Sequence, residues 1–150
     1  LGKFYEAASD ELSLHVKQLA WLHAYPKDRK GERAKKSRLE ASKDADAEII
    51  LPHCPAPYLI EWLFEIGPGG DEPVGYRDFA AWQSLSGVKL TPWEAKTLRR
   101  MAQDYLSMAI KASEADCAPP YTGLDDKREA ARDAVAKKVD ALFAKPKRAS

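Results

Sequence analysis

The residues Thr91-Pro92-Trp93-Glu94 constrain this chain more than any other short run. A threonine before a helix accepts a hydrogen bond from the N–H three residues on, and a glutamate at that third position returns one to the threonine N–H. Proline fits the first helical position, because its φ is already helical and its missing N–H is not needed there. A helix therefore starts at Pro92. Leu98, Met101, Tyr105, Met108 and Ala112 follow at spacings of three and four, which predicts one apolar stripe running to about Ala112.

A striped helix needs partners, and the preceding segment offers them. Tyr76–Ser86 reads as a helix with Phe79, Trp82 and Leu85 three apart, closed by Gly87 in the left-handed conformation. Tyr58–Ile66 is apolar nearly all round, interrupted only by Glu61 and Glu65, four apart on one face. So narrow a polar strip expects neighbours on several sides. Gly67-Pro68 ends that helix, and the glycine-rich loop after it has no GxxxxGK[ST] and carries Asp71 and Glu72, which repel phosphate. Trp62, Trp82 and Trp93, three of the four tryptophans, fall inside 57–112, so this stretch is read as the core helical domain.

The flanks are organised around it. Residues 1–26 are read as an N-terminal helix, near 9–24, with Ser9 or Asp10 as its cap and Leu12, Val16, Leu19 and His23 as its stripe; Pro26 stops it. Residues 27–56 form a polar, basic linker and a connector in which Pro52, Pro55 and Pro57 disfavour regular structure. Lys27–Ala47 holds one large apolar residue, Leu39, and is read as a solvated helix or a mobile linker. Residues 113–150 carry a last helix near 125–144 and a basic tail, Lys145–Ser150, expected to be disordered. Ala131, Val135, Val139 and Leu142, with Phe143 beside them, make a narrow stripe suited to a single partner, in the same chain or another. The fold expected is all-α: a small domain of three to five helices, a polar linker and a C-terminal helical arm.

Composition narrows the function classes. In 150 residues with 45% hydrophobic side chains there is material for one ordinary core. A net charge of +1 does not mark the whole molecule as a polyanion binder. Weak, salt-sensitive contact with nucleic acid through Arg29, Lys30, Arg33, Lys35, Lys36 and Arg38 is the most this predicts, since acids are interspersed and aromatic stacking partners are missing. The longest apolar run, near Leu59–Ile66, is too short to span a bilayer, and the first twelve residues lack the apolar core of a signal peptide. With two distant cysteines, Cys54 and Cys117, and no disulfide framework, a soluble protein of a reducing cytoplasm is expected.

No constellation points to catalysis or to a cofactor. His53 and Cys54 are adjacent, so they are badly placed to converge on one metal ion or to act as nucleophile and base. His15 and His23 sit near the first helix's apolar stripe and read as partly buried structural residues. Phe79–Tyr105 imitates a helix-turn-helix, with Lys96, Arg99 and Arg100 for phosphate and Thr97 or Gln103 for base edges. Against this, the turn is long, and Trp93 and Glu94 occupy the helix start where readers of bases should lie. The aromatics Trp62, Phe64, Phe79, Trp82 and Trp93 are most simply core, yet Tyr58–Ile66 has more apolar surface than three short helices need, so part of it is expected to face a partner.

These elements in this order resemble the tail assembly chaperones of long-tailed bacteriophages. The resemblance spans about 52–112: the W-x-x-E helix from Trp62 to Glu65, the helix bearing Phe79 and Trp82, the Ser86-Gly87 turn, and Leu90-Thr91-Pro92-Trp93-Glu94 followed by Leu98 and Tyr105. The loop after Ile66 is short and acidic here, and the flanks match less clearly. The resemblance implies a non-enzymatic helper acting in the bacterial host cytoplasm and absent from the finished virion. It would bind the tape measure protein, keep it soluble and help bring tail tube subunits to it, with self-association a further partner choice. It carries over no catalytic residue. It offers Trp62, Phe64, Trp82, Trp93 and Tyr105 as structural and interface positions, and the apolar surfaces add Leu63, Val135, Val139 and Leu142 as contact candidates.

Overall fold

The computed structural model describes residues 2–144, so the expectation for the tail at 145–150 lies outside the described residues. Within them the chain is all-α. Six helices follow in order: α1 Gly2–His23, α2 Arg38–Asp44, α3 Pro57–Ile66, α4 Tyr76–Ser86, α5 Pro92–Ala112 and α6 Leu124–Phe143.

The α5 start forms as its residues dictate. The Glu94 N–H donates to Thr91 Oγ1 at 3.2 Å and the Thr91 N–H donates to Glu94 Oε1 at 2.9 Å. The stripe of α5 then meets α1, the most extensive helix pairing in the fold, with α3 and α4 packed alongside. Leu12 and Val16 from α1, Leu59 and Leu63 from α3, Phe79 from α4, and Leu98, Met101 and Ala102 from α5 close into one core. The core therefore extends beyond 57–112, and α1 is one of its walls. Each such leucine or phenylalanine withdrawn from water contributes about 1.5–3 kcal/mol before ordering costs are set against it. Leu19 and His23, expected on the α1 stripe, are only half-buried.

Two boundary expectations are corrected. The first helix begins at Gly2, and Ser9 and Asp10 lie inside it. Arg100 Nη1 donates to Ser9 Oγ at 3.0 Å and to Asp10 Oδ1 at 2.7 Å, so these two residues tie α1 to α5 instead of capping. The extra turns dock on the start of α5, where the Tyr5 ring lies 5.2 Å from that of Trp93 and Trp93 Nε1 donates to the Tyr5 carbonyl at 3.3 Å. Tertiary contact has outweighed the local capping preference.

The second correction concerns 27–47, which is neither one long helix nor a free linker. Ser37 caps a seven-residue helix, α2, which brings the helices to one more than the three to five expected. The Lys27 N–H donates to Ser113 O at 2.8 Å and the Arg38 N–H to Ala24 O at 3.1 Å. Arg38 is the clamp. Its Nη1 donates to Trp21 O at 3.2 Å and Ala112 O at 2.7 Å, its Nη2 donates to Glu114 O at 2.9 Å, and its guanidinium lies 4.7 Å from the Trp21 ring centre. The last carbonyls of α1 and α5 have no partner within their own helices, and a cation there also meets two negative dipole ends.

Polar residues of α1 hold down the irregular segments. His15 Nδ1 lies 2.9 Å from Pro52 O, Gln18 Nε2 donates to Ile50 O at 3.0 Å, the Tyr121 N–H donates to Gln18 Oε1 at 3.1 Å, and Trp21 Nε1 donates to Cys117 O at 2.8 Å. Proline-rich backbone has no sheet or helix partner, so its buried carbonyls draw donors from side chains.

Candidate functional site

The residues proposed from the sequence fall into separate places. Leu63 is 0% exposed and belongs to the core, which removes it as a contact residue. Trp62 and Trp82 are half-buried, their ring centres 5.4 Å apart, with Tyr58 edge-on to Trp62 at 4.9 Å. Trp82 Nε1 is enclosed without an acceptor. On the other flank of α3, Phe64 is 37% exposed and meets Tyr105 edge-on at 5.5 Å and His23 at 5.8 Å. Trp93 is half-buried against Tyr5, and Tyr58 of the first cluster lies beside Tyr5 and Glu94. Of the five aromatics read as core, only Phe79 is fully enclosed. Trp62, Trp93 and Tyr105 all pack at the margin of the same core.

His23 Nδ1 lies 3.1 Å from the Tyr105 hydroxyl. Burial pushes the imidazole below its ordinary range and the phenol above its own. Both groups favour their neutral forms, and no carboxylate bonds to either to make an acid–base relay. Cys54 packs at the edge of the main core and Cys117 against the smaller cluster of Ala20, Met108 and Ala112, so the two thiols lie apart. Among the described residues no three His, Cys, Asp or Glu side chains gather closely enough to hold a metal ion.

Four of the nine cations offered for nucleic acid are engaged elsewhere. Arg100 bonds to α1, Arg99 lies 4.8 Å over the Tyr76 ring, Arg38 is the clamp, and Lys36 pairs with Asp44. Thr97 is buried beneath α1, which keeps it from any base edge, while Lys96 and Gln103 are exposed. No helix among the described residues is long and apolar enough to cross a membrane.

The remaining group is α6. Every described side chain on it is exposed. Val135 is 60% exposed, Leu142 is 82% exposed, and Val139, Leu124 and Phe143 are exposed with them. The body of the fold also exposes apolar residues the sequence reading did not single out as contacts, Phe4 and Tyr5 beside Trp93 among them. Leu85 is 90% exposed, and Ile110 is exposed outside the α5 stripe. Leu85 was expected beside Phe79 and Trp82, but each step of three falls about 60° short of a full turn, so two steps carry it off the covered face.

No family model, no curated protein and no solved structure matches the chain.

Proposed function

We propose that this chain is a non-enzymatic helper that binds an amphipathic helical client, and that the client is the tape measure protein of a long-tailed bacteriophage. The observation that carries the binding part is α6, whose apolar stripe from Leu124 to Phe143 is uncovered along a folded helix. Isolated exposed apolar residues are ordinary, but a stripe in helical register is a surface built for another helix. The client's identity rests on the resemblance of 52–112 to tail assembly chaperones. On this reading α1–α5 form a closed platform and α6 is its gripping arm. The site of action is the bacterial host cytoplasm, tail tube subunits are the second partner, and the chain leaves before the virion is complete.

Co-expression tests it. A tape measure protein made alone exposes its stripes and aggregates. With this chain present, more of it stays in the supernatant and the two co-purify. Changing Val135, Val139 and Leu142 together to Asp abolishes the rescue while the melting temperature of α1–α5 holds. A well-folded wild-type chain that neither co-purifies with the tape measure protein nor raises its solubility overturns the assignment.

A further inference from the structure

Among the described side chains, the stripe of α6 is bordered by bases. Lys127 and Lys138, eleven residues or about three turns apart, lie along one edge of the Leu124–Ala131–Val135–Leu142 line. Arg128 and Arg132, four apart, lie along the other edge beside Val139. Asp126, Glu129, Asp133 and Asp140 fall on the opposite face, with Lys137 among them. The helix carries as many acids as bases, so the asymmetry lies in their arrangement and not in a net charge.

We propose that α6 docks an amphipathic α-helix whose apolar stripe is bordered by Asp and Glu. Two stripes that interdigitate bring their border residues side by side, where opposite charges select the partner and its register. A second α6 is the wrong occupant. Both of its borders are basic, so parallel or antiparallel pairing sets cation against cation, which is unfavourable. An anionic lipid surface fits less well than a helix. The stripe is narrow, and the helix as a whole offers such a surface no net attraction, whereas a partner helix touches only the basic borders. The inference rests on the reading of α6 as a client-gripping helix, and it does not need the client to be a tape measure protein.

The test uses the full chain and two designed helical peptides of about four heptads, identical in their Leu/Val stripe and bordered by Glu in one and by Lys in the other. Fluorescence anisotropy reads binding. The Glu-bordered peptide binds at least about tenfold more tightly than the Lys-bordered one, and the difference narrows as salt rises. The variant K127E/R128E/R132E/K138E reverses the preference. The neutral variant K127Q/R128Q/R132Q/K138Q abolishes it while keeping binding through the stripe, which guards against a reversal that merely unwinds α6. Equal binding of the two peptides, or binding of neither, overturns the proposal. Binding to phosphatidylserine vesicles in place of the Glu-bordered peptide overturns it in favour of a lipid surface. Self-association that the reversal variant abolishes overturns it in favour of a second copy. If the peptide preference holds and the tape measure protein fails to co-purify, the client's identity falls and the surface chemistry stands. If the tape measure protein co-purifies and the peptides show no preference, this inference alone falls.

Discussion

Helices α5 and α6 are nearly the same length, 21 and 20 residues, and both carry apolar residues at threes and fours. Their fates differ completely. The α5 helix has a capping box, proline at its first position, and Thr97, Leu98, Met101, Ala102, Met108 and Ala112 buried. The α6 helix starts after Gly123, whose φ is 75° and whose missing side chain supplies no cap, and buries none of its described side chains. Periodicity states that a helix has a face. What covers that face depends on the rest of the chain. Here α1, α3 and α4 are consumed on α5, and Trp62, Trp93 and Tyr105 pack at the margin of the core they enclose.

That contrast can be broken by matched truncations. The largest effect is expected from Phe79→Ala, which leaves a cavity where α4 meets the core and costs about 3–5 kcal/mol in chemical denaturation. Leu142→Ala on α6 costs less than about 0.5 kcal/mol, as exposed substitutions do. Comparable costs at the two positions would mean that α6 is packed in solution and that the contrast is false.

Arg38→Ala comes next. It removes charged donors from the Trp21, Ala112 and Glu114 carbonyls and is expected to cost about 1.5–3 kcal/mol, softened by water reaching the half-exposed site. Arg38→Lys restores only part, because an ammonium cannot fork to carbonyls on two helices as a guanidinium does. Full restoration by Lys would reduce the clamp to simple charge at the helix ends. Thr91→Ala is smaller, about 1 kcal/mol for a lost cap. It is expected to fray the first turn of α5 and to loosen Tyr5 from Trp93, which tryptophan fluorescence reads.

The smallest effect is a pH dependence confined to the body. Burial holds His23 below the ordinary imidazole range, so the unfolded chain binds its proton more readily than the folded one. Stability is then full above the unfolded value and falls as pH drops through about 6.5 and below. The melting temperature of the wild type should fall more between pH 7.5 and 5.5 than that of His23→Gln. Equal falls would assign the whole dependence to other groups. Variants in the α6 stripe should follow the wild-type profile.

Much of the body was legible because its signals are local. Thr91-Pro92-Trp93-Glu94, Gly87 and the α5 stripe act within a turn or two, and the structure places each where the pattern predicts. The misses are matters of tertiary competition. Ser9 and Asp10 look like caps until Arg100 lies across from them. His15 was legible as a partly buried structural residue, but its partner, the Pro52 carbonyl, and the bond from Gln18 to the Ile50 carbonyl are set by tertiary contact alone. Arg38 looked like one more cation in a basic linker, and nothing in its neighbours announces two helix ends. Leu63 and Phe64 are adjacent, yet a helix turns about 100° between them, so one is core and the other rim. The exposure of α6 was half-legible: its narrow stripe predicted a single partner in this chain or another, and the fold shows that no described residue covers it.

Helices α1–α5 enclose their own core, whereas the stripe of α6 is exposed along its length. Hydrogen–deuterium exchange on the full chain, alone and with the co-purified tape measure protein, tests this contrast most directly. Alone, amides of α1 and α5 should exchange slowly and those of α6 quickly, since a helix without tertiary packing opens easily. With the client bound, protection should appear along Ala131–Phe143 and leave the body unchanged. Slow exchange of α6 in the free chain, or new protection confined to the Trp62–Trp82 or Phe64–Tyr105 surfaces, would contradict it.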